Sequence, residues 1–338
     1  MLVVMGREAT EEDIKRVVQA IEARGLAPHL MPGPTRTAIG ITGNTEAVES
    51  SGLRSLPGVR DLIRVTKPYK LASREMRIDD STIKLPQTTI GPKNFTIIAG
   101  PCSVEDEKTM HKISEYLVER GIRILRAGAF KPRTSPYSFQ GKEHSGLKLL
   151  EELKKEYGLG ITTELMDSTH AEALEEVADL IQIGTRNMQN FTLLKRVGQL
   201  NTPVLLKRGM SATLEEWLMA AEYILSGGNM QVAMCERGIR TFADHNRNTL
   251  DISVIPPLKR QSHLPVIVDP SHATGYRPYV KPMALASMAA GADGIIVEIH
   301  PQPEQASSDG AQSLNFEEFD DLLKFFQKMG PIFGKTID

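Results

Sequence analysis

Residues 122–131 read Ile122-Arg123-Ile124-Leu125-Arg126-Ala127-Gly128-Ala129-Phe130-Lys131. Ile122 to Arg126 is a short apolar run that ends on a cation, and a glycine-containing loop with a second cation follows it. A run of this length, followed by the helical stretch Leu147–Tyr157, has the form of a parallel strand buried on both faces. The same unit recurs on either side. Thr96–Ala99, Gly160–Thr163, Leu180–Ile183, Pro203–Lys207, Gln231–Glu236, Val266–Asp269 and Gly294–Glu298 read as seven further strands. Helical segments such as Glu105–Arg120 and Thr213–Ser226 lie between them, and Phe316–Met329 follows the last. Eight strand–helix units over about 250 residues is the arithmetic of a (β/α)8 TIM barrel. A doubly wound open sheet competes, but no dinucleotide-type glycine fingerprint is present. A hairpin around Ile83–Phe95 is expected to cap the bottom of the barrel.

Upstream the rhythm is different. Met1–Met5 is an apolar strand, and Thr10–Arg24 has helical spacing, with Ile14, Val17, Val18 and Ile21 on one face and Thr10 as the N-cap. Ala27–Met31 and Thr37–Thr42 are strands around the turn Pro32-Gly33-Pro34, Thr45–Leu53 is a short helix and Val59–Val65 a fourth strand. The order βαββαβ is the ferredoxin-like split pattern. The expected organisation is a small ferredoxin-like domain at 1–65, a linker at 66–85 and a TIM barrel at 86–338.

Composition sets limits on function. The 338 residues are 41% hydrophobic and 24% charged, with a net charge of −2. This excludes wholesale disorder and gives no electrostatic case for nucleic acid. No apolar run reaches the roughly 18 residues of a membrane span, and the N-terminus lacks the pattern of a signal peptide. Two cysteines make no disulfide scaffold, so a reducing cytoplasm is expected.

In a TIM barrel the chemistry sits at the C-terminal ends of the strands. Here those ends carry Cys102, Arg126 with Lys131 and Arg133, Glu164, Arg186, Lys207, Arg237, Asp269 with His272, and Glu298. Five basic residues, Arg126, Lys131, Arg186, Lys207 and Arg237, would converge on one mouth of a weakly acidic chain. Such a concentration of cations suits a small, highly anionic substrate. Cys102, His272, Glu298 and Asp309 would face the same mouth from adjoining strands. A thiolate, an imidazole and two carboxylates suit a divalent transition metal. Equally, a lone cysteine can be a buried hydrophobe and a lone histidine a hydrogen-bonded group, so spacing leaves both readings standing. Cys235, inside an apolar strand, reads as core.

Ala99-Gly100-Pro101-Cys102-Ser103, Arg126-Ala127-Gly128-Ala129-Phe130-Lys131-Pro132-Arg133-Thr134-Ser135, Gly184-Thr185-Arg186 and Asp269-Pro270-Ser271-His272 resemble the 3-deoxy-D-arabino-heptulosonate 7-phosphate (DAHP) synthases. The likeness extends through Pro203–Lys207, Cys235-Glu236-Arg237-Gly238 and Glu298-Ile299-His300-Pro301. The N-terminal unit resembles the regulatory extension of one subgroup. The resemblance implies condensation of phosphoenolpyruvate with erythrose 4-phosphate, the first step of the shikimate pathway. It implies that Cys102, His272, Glu298 and Asp309 bind one divalent ion (manganese, iron, cobalt or zinc). It assigns Arg126, Lys131, Arg186, Lys207 and Arg237 to phosphoenolpyruvate, with Glu164 and Gln182 beside them. Arg133, Thr134 and Ser135 are assigned to the phosphate of erythrose 4-phosphate, and Asp269 to the aldehyde end. Lys131, Glu164 and Asp269 are the implied catalytic residues. An aromatic amino-acid effector (Phe or Tyr) on the N-terminal unit and a homo-oligomer, with a tetramer favoured, are also implied.

The nearest rival is the sister synthase that makes 3-deoxy-octulosonate 8-phosphate from arabinose 5-phosphate. Its loop resembles Lys-Ala-Asn-Arg-Ser, whereas this chain has Lys131-Pro132-Arg133-Thr134-Ser135; proline removes a backbone donor and fixes the chain direction. A Schiff-base aldolase with Lys207 as nucleophile, and a non-catalytic amino-acid sensor, are rivals of other classes.

Overall fold

Alternation and capping build the N-terminal elements. The computed structural model describes residues 1–33, 36–43, 51–63, 67–131, 137 and 141–338. It divides into two compact units, Met1–Asp79 with Gln261–His263 and Asp80–Arg260 with Leu264–Asp338. In the first unit the chain runs through β1 (Leu2–Met5), α1 (Glu11–Glu22), β2 (Ala27–Pro32), β3 (Thr37–Thr42), α2 (Ser51–Arg54) and β4 (Val59–Ile63). The strands form an antiparallel sheet in the order β2-β3-β1-β4. Thr10 caps α1: its Oγ1 accepts from the Asp13 N–H at 3.2 Å, and the Asp13 carboxylate accepts from the Thr10 N–H at 2.9 Å. Val17 and Ile21, one turn apart, bury against Val3, Met5, Ile39 and Ile41, which alternate along their strands. The βαββαβ order is as expected. Of the helix expected at Thr45–Leu53, residues 45–50 lie outside the described residues and α2 supplies the rest.

The second unit opens with a hairpin, β5 (Ile83–Lys84) and β6 (Thr89–Ile90). The barrel follows as β7 (Asn94–Gly100), α3 (Glu107–Glu119), β8 (Ile124–Arg126), α4 (Glu143–Tyr157), β9 (Gly160–Leu165), α5 (Ala171–Val177) and β10 (Leu180–Ile183). It continues as α6 (Phe191–Val197), β11 (Val204–Lys207), α7 (Leu214–Ser226), β12 (Val232–Glu236), α8 (Ile255–Gln261) and β13 (Val266–Val268). The last elements are α9 (Pro270–Thr274), α10 (Arg277–Ala289), β14 (Gly294–Glu298), α11 (Phe316–Met329) and β15 (Thr336–Ile337). Strands β7 to β14 pair as successive parallel neighbours, and β14 pairs back onto β7, so the eight-stranded sheet closes. Ile98, Ile124, Leu180, Leu205, Cys235, Ile267 and Ile296 fill the interior, and Ile83, Leu85 and Ile90 of the hairpin join the same cluster. The hairpin thus plugs the end where the strands begin, and Cys235 is core.

Two buried carboxylates fix those strand starts. Asp179, ahead of β10, accepts the Ile161 N–H and the Lys154 ammonium, both at 2.9 Å. Asp293, ahead of β14, accepts the Val266 N–H at 2.9 Å, Lys259 at 2.7 Å and Lys335 at 2.9 Å. Charge-assisted bonds of this kind lock helix to sheet at the bottom and leave the other end to carry chemistry. Among the described residues no helix is long and apolar enough to cross a membrane.

Candidate active site

A cavity of about 510 Å³ opens at the C-terminal ends of the barrel strands. The loop after β7 supplies Cys102. Arg126 comes from the end of β8, with Lys131 beyond it, Glu164 from β9, and Gln182 from β10 with Arg186 in the turn that follows. Lys207 ends β11, Arg237 follows β12, His272 lies in α9, and Asp309 lies in the loop after β14. All five expected cations therefore line one cavity. Arg126, Lys131, Lys207 and Arg237 are at most 7% exposed, so their charges sit where water screens them little. Arg133, Thr134 and Ser135 lie outside the described residues.

Two glycines make the wall possible. A Cβ at Gly128 would stand 2.8 Å from Lys131 Nζ, and one at Gly184 would stand 1.9 Å from Glu164 Oε1. Glu164 is oriented by Gln182, whose Nε2 donates to Oε2 at 3.3 Å.

Glu298 and Asp269 do not line the cavity; both are fully buried behind it. Asp269 Oδ2 accepts from Lys207 Nζ at 2.6 Å and lies 2.8 Å from His272 Nδ1, while Oδ1 accepts the His272 N–H at 2.9 Å. Burial alone would raise the Asp269 carboxyl, but His272 and Lys207 overcome it and hold it well below the usual carboxylate range. The ring of His272 therefore turns Nε2 toward Glu298 Oε1 at 3.3 Å. Lys207 has its nitrogen engaged by this carboxylate, which counts against a Schiff-base role.

The sulfur of Cys102 and one donor atom each of His272, Glu298 and Asp309 lie within 4.8 Å of one another. Burial, with Glu298 and Asp309 beside it, pushes the Cys102 thiol up to about 12 despite Lys131 and Arg126. The thiol donates to Asp309 Oδ2 at 3.0 Å. At Asp309 burial works upward, but the Cys102 hydrogen bond, His272, Arg247 and Lys131 prevail and bring the carboxyl down to about 2. Glu298 Oε1 stands 3.0 Å from Arg126 Nη1 yet makes no aligned hydrogen bond. An orphaned buried carboxylate oxygen, an imidazole nitrogen fixed by a carboxylate behind it, a thiol and a second carboxylate fit a divalent transition ion.

Sequence reading missed Met210, Arg240, Arg247 and Asn248 on the cavity wall. Arg240 and Arg247 lie in the long stretch between β12 and α8, whose arginine-rich composition is their one sequence signal. That stretch is anchored from below: Arg208 Nη1 bridges Glu236 Oε2 at 3.0 Å and Asp251 Oδ2 at 2.9 Å, and Glu236 Oε1 accepts the Gly238 N–H at 2.7 Å.

Comparisons with known proteins agree with this geometry. A family model described as the DAHP synthetase I family matches residues 75–333, and one described as the DAHP synthase ferredoxin-like domain matches residues 1–67. A Thermotoga maritima phospho-2-dehydro-3-deoxyheptonate aldolase is 48% identical over 338 residues, all of both chains. A crystal structure of the DAHP synthase from that organism superposes with a TM-score of 0.80, covering 100% of this chain and 99% of that one at 48% identity. A 2-dehydro-3-deoxyphosphooctonate aldolase from Syntrophobacter fumaroxidans is 30% identical over 254 residues, 70% of this chain and 87% of its own.

Proposed function

The chain belongs to the DAHP synthetase I family, and on that premise we propose that its barrel mouth is a DAHP synthase site. Phosphoenolpyruvate, erythrose 4-phosphate and water give DAHP and inorganic phosphate. The observation that carries this reading is the convergence on one cavity of the five expected cations with Cys102, His272 and Asp309, and with Glu298 buried directly behind them. Two phosphorylated substrates need such a set of cations, and an aldehyde acceptor needs an electrophilic catalyst. When bound by Cys102, His272, Glu298 and Asp309, a divalent ion (manganese, iron, cobalt or zinc) supplies Lewis-acid polarisation of a carbonyl oxygen.

The remaining work falls to the chain. Arg126, Arg186, Lys207 and Arg237 offer fixed cations to the carboxylate and phosphate of phosphoenolpyruvate, and Gln182 adds a neutral donor. The C2=C3 π electrons of phosphoenolpyruvate form the bond from C3 to the aldehyde carbon and leave C2 an oxocarbenium centre, and Lys131 gives a proton to the aldehyde oxygen as it becomes an alkoxide. Water then adds at C2. Glu164, on the wall and held by Gln182, takes one proton from that water; the bond from C2 to the phosphate oxygen then breaks as the new C2 hydroxyl becomes the ketone, and its proton leaves with the phosphate. Asp269 serves from behind, holding Lys207 and His272 in place. Arg133, Thr134 and Ser135 receive the phosphate of erythrose 4-phosphate.

Phosphate release from phosphoenolpyruvate tests the acceptor. Erythrose 4-phosphate is expected to support release and arabinose 5-phosphate to support at least about tenfold less, a difference of roughly 1.4 kcal/mol at the transition state. Equal or faster turnover with arabinose 5-phosphate would assign the chain to the sister synthase.

The N-terminal unit belongs to the same reading as a regulatory domain for Phe or Tyr. Deleting residues 1–65 is expected to leave condensation intact and to abolish inhibition by the effector; inhibition that survives the deletion contradicts that role. The reading also includes a homotetramer, measured directly by sedimentation velocity. It places the enzyme in the cytoplasm, where a thiol ligand stays reduced.

A further inference from the structure

Gln312 carries no charge and stands outside the four-donor cluster, yet it is 2% exposed and both ends of its amide are engaged. Nε2 donates to Glu298 Oε2 at 2.7 Å, and Oε1 accepts from Arg247 Nη1 at 3.2 Å. A carboxylate only accepts and a guanidinium only donates, so an amide joining them is oriented by its two partners. With Oε2 occupied, the other oxygen of Glu298 is the one that faces His272 Nε2, at 3.3 Å.

One turn delivers Gln312 and Asp309 together. Residues Gly310–Gln312 form a 3₁₀ turn entered from Asp309. Asp309 leads into this turn and Gln312 ends it, and the Gln312 N–H donates to the Asp309 carbonyl at 3.2 Å. Asp309 has φ +55°, in the left-handed region. A Cβ at Gly310 would come within 2.0 Å of the Pro303 carbonyl, so the turn is seated tightly. Arg247 reaches both residues, with Nη1 also 3.6 Å from Asp309 Oδ1.

Resting on the metal-site reading above, we propose that Gln312 is a positioning residue for the metal centre: backed by Arg247, its amide holds Oε2 of Glu298 so that Oε1 alone is presented to the ion. Cobalt(II) is the probe, because its binding is read from an absorption spectrum without turnover. The stripped full chain, Gln312→Met and Gln312→Asn are each titrated with cobalt against a competing chelator. Gln312→Met keeps the volume and loses both hydrogen bonds; Gln312→Asn keeps the amide but shortens its reach. Both are expected to bind cobalt about 10- to 100-fold more weakly than wild type, as loss of an outer hydrogen bond to a ligand does elsewhere. The visible ligand-field bands should shift while the sulfur-to-cobalt band from Cys102 remains. A merely structural role would lower Tm and leave the affinity and bands of the folded protein unchanged. Wild-type affinity in either folded variant overturns the proposal, and Gln312→Asn decides if Gln312→Met does not fold. Should the wild-type chain itself take up no cobalt, the metal-site reading fails and the proposal fails with it.

Discussion

Asp269→Asn is expected to weaken metal binding about 10- to 100-fold and to lower the unfolding free energy by about 3–5 kcal/mol. Both effects come from one buried carboxylate. Its Oδ2 is shared between Lys207 Nζ and His272 Nδ1, at 2.6 and 2.8 Å. Asparagine cannot balance the charge of Lys207, which is 4% exposed, and a buried charge that loses its partner is strongly destabilising. Asparagine also weakens the hold on the His272 ring, which fixes Nε2 toward the donor cluster. The sign of the pH dependence follows from the lowered Asp269 carboxyl, where burial is outweighed by His272 and Lys207. A carboxyl lowered in the folded state stabilises above its unfolded value and loses that stabilisation as the pH falls. The stability gap between wild type and variant should therefore persist at neutral pH and close as the pH falls below the usual value of 3.8. Denaturant unfolding at several pH values and chelator competition measure the two effects separately. Wild-type stability at neutral pH would refute the ion-pair account.

Lys131→Met is expected to cut kcat by about 10²- to 10⁴-fold, the range for loss of a general acid. Lys131 stands close enough to the cluster to lower both Cys102 and Asp309. It is 7% exposed and lines the cavity, so methionine replaces its stem without leaving a void. Other cations still line the cavity in this variant, Arg126, Arg186, Lys207 and Arg237 among them, and KM for phosphoenolpyruvate should rise far less than kcat falls. Steady-state kinetics on the two substrates separate the roles: a raised KM with unchanged kcat would make Lys131 a binding group only.

The barrel was legible in the sequence because parallel strands buried on both faces leave continuous apolar runs, as in Leu180–Ile183 and Gly294–Glu298. Their ends marked the cavity: β8, β11, β12 and β14 stop on Arg126, Lys207, Glu236 and Glu298, and Cys102, Glu164, Arg186 and Asp269 lie at or within three residues of the ends of the other four strands. The N-terminal order was legible from alternation and the Thr10 cap. What escaped lies where no period operates. Arg240 and Arg247 reach the cavity from an irregular stretch held by Arg208, Glu236 and Asp251, contacts made between side chains far apart in sequence. Gln312 escaped because a neutral amide gives no charge signal and its partners, Glu298 and Arg247, are 14 and 65 residues away. β15 is two residues long, too short for any pattern. Asp269 was expected at the aldehyde end, but it is fully buried behind Lys207 and His272, a seat that depends on packing of α9 against β14 that the sequence does not display.

If the four-donor cluster and the cations around it form one metal-dependent condensing site, turnover must follow the ion. Stripping the chain with a chelator, removing the chelator, and titrating a divalent ion back while following DAHP formation from phosphoenolpyruvate and erythrose 4-phosphate tests it most directly. The stripped chain is expected to show no turnover, and recovery is expected to saturate at one ion per chain. Full turnover in the stripped, metal-free chain would contradict it and leave Cys102, His272, Glu298 and Asp309 as parts of the scaffold.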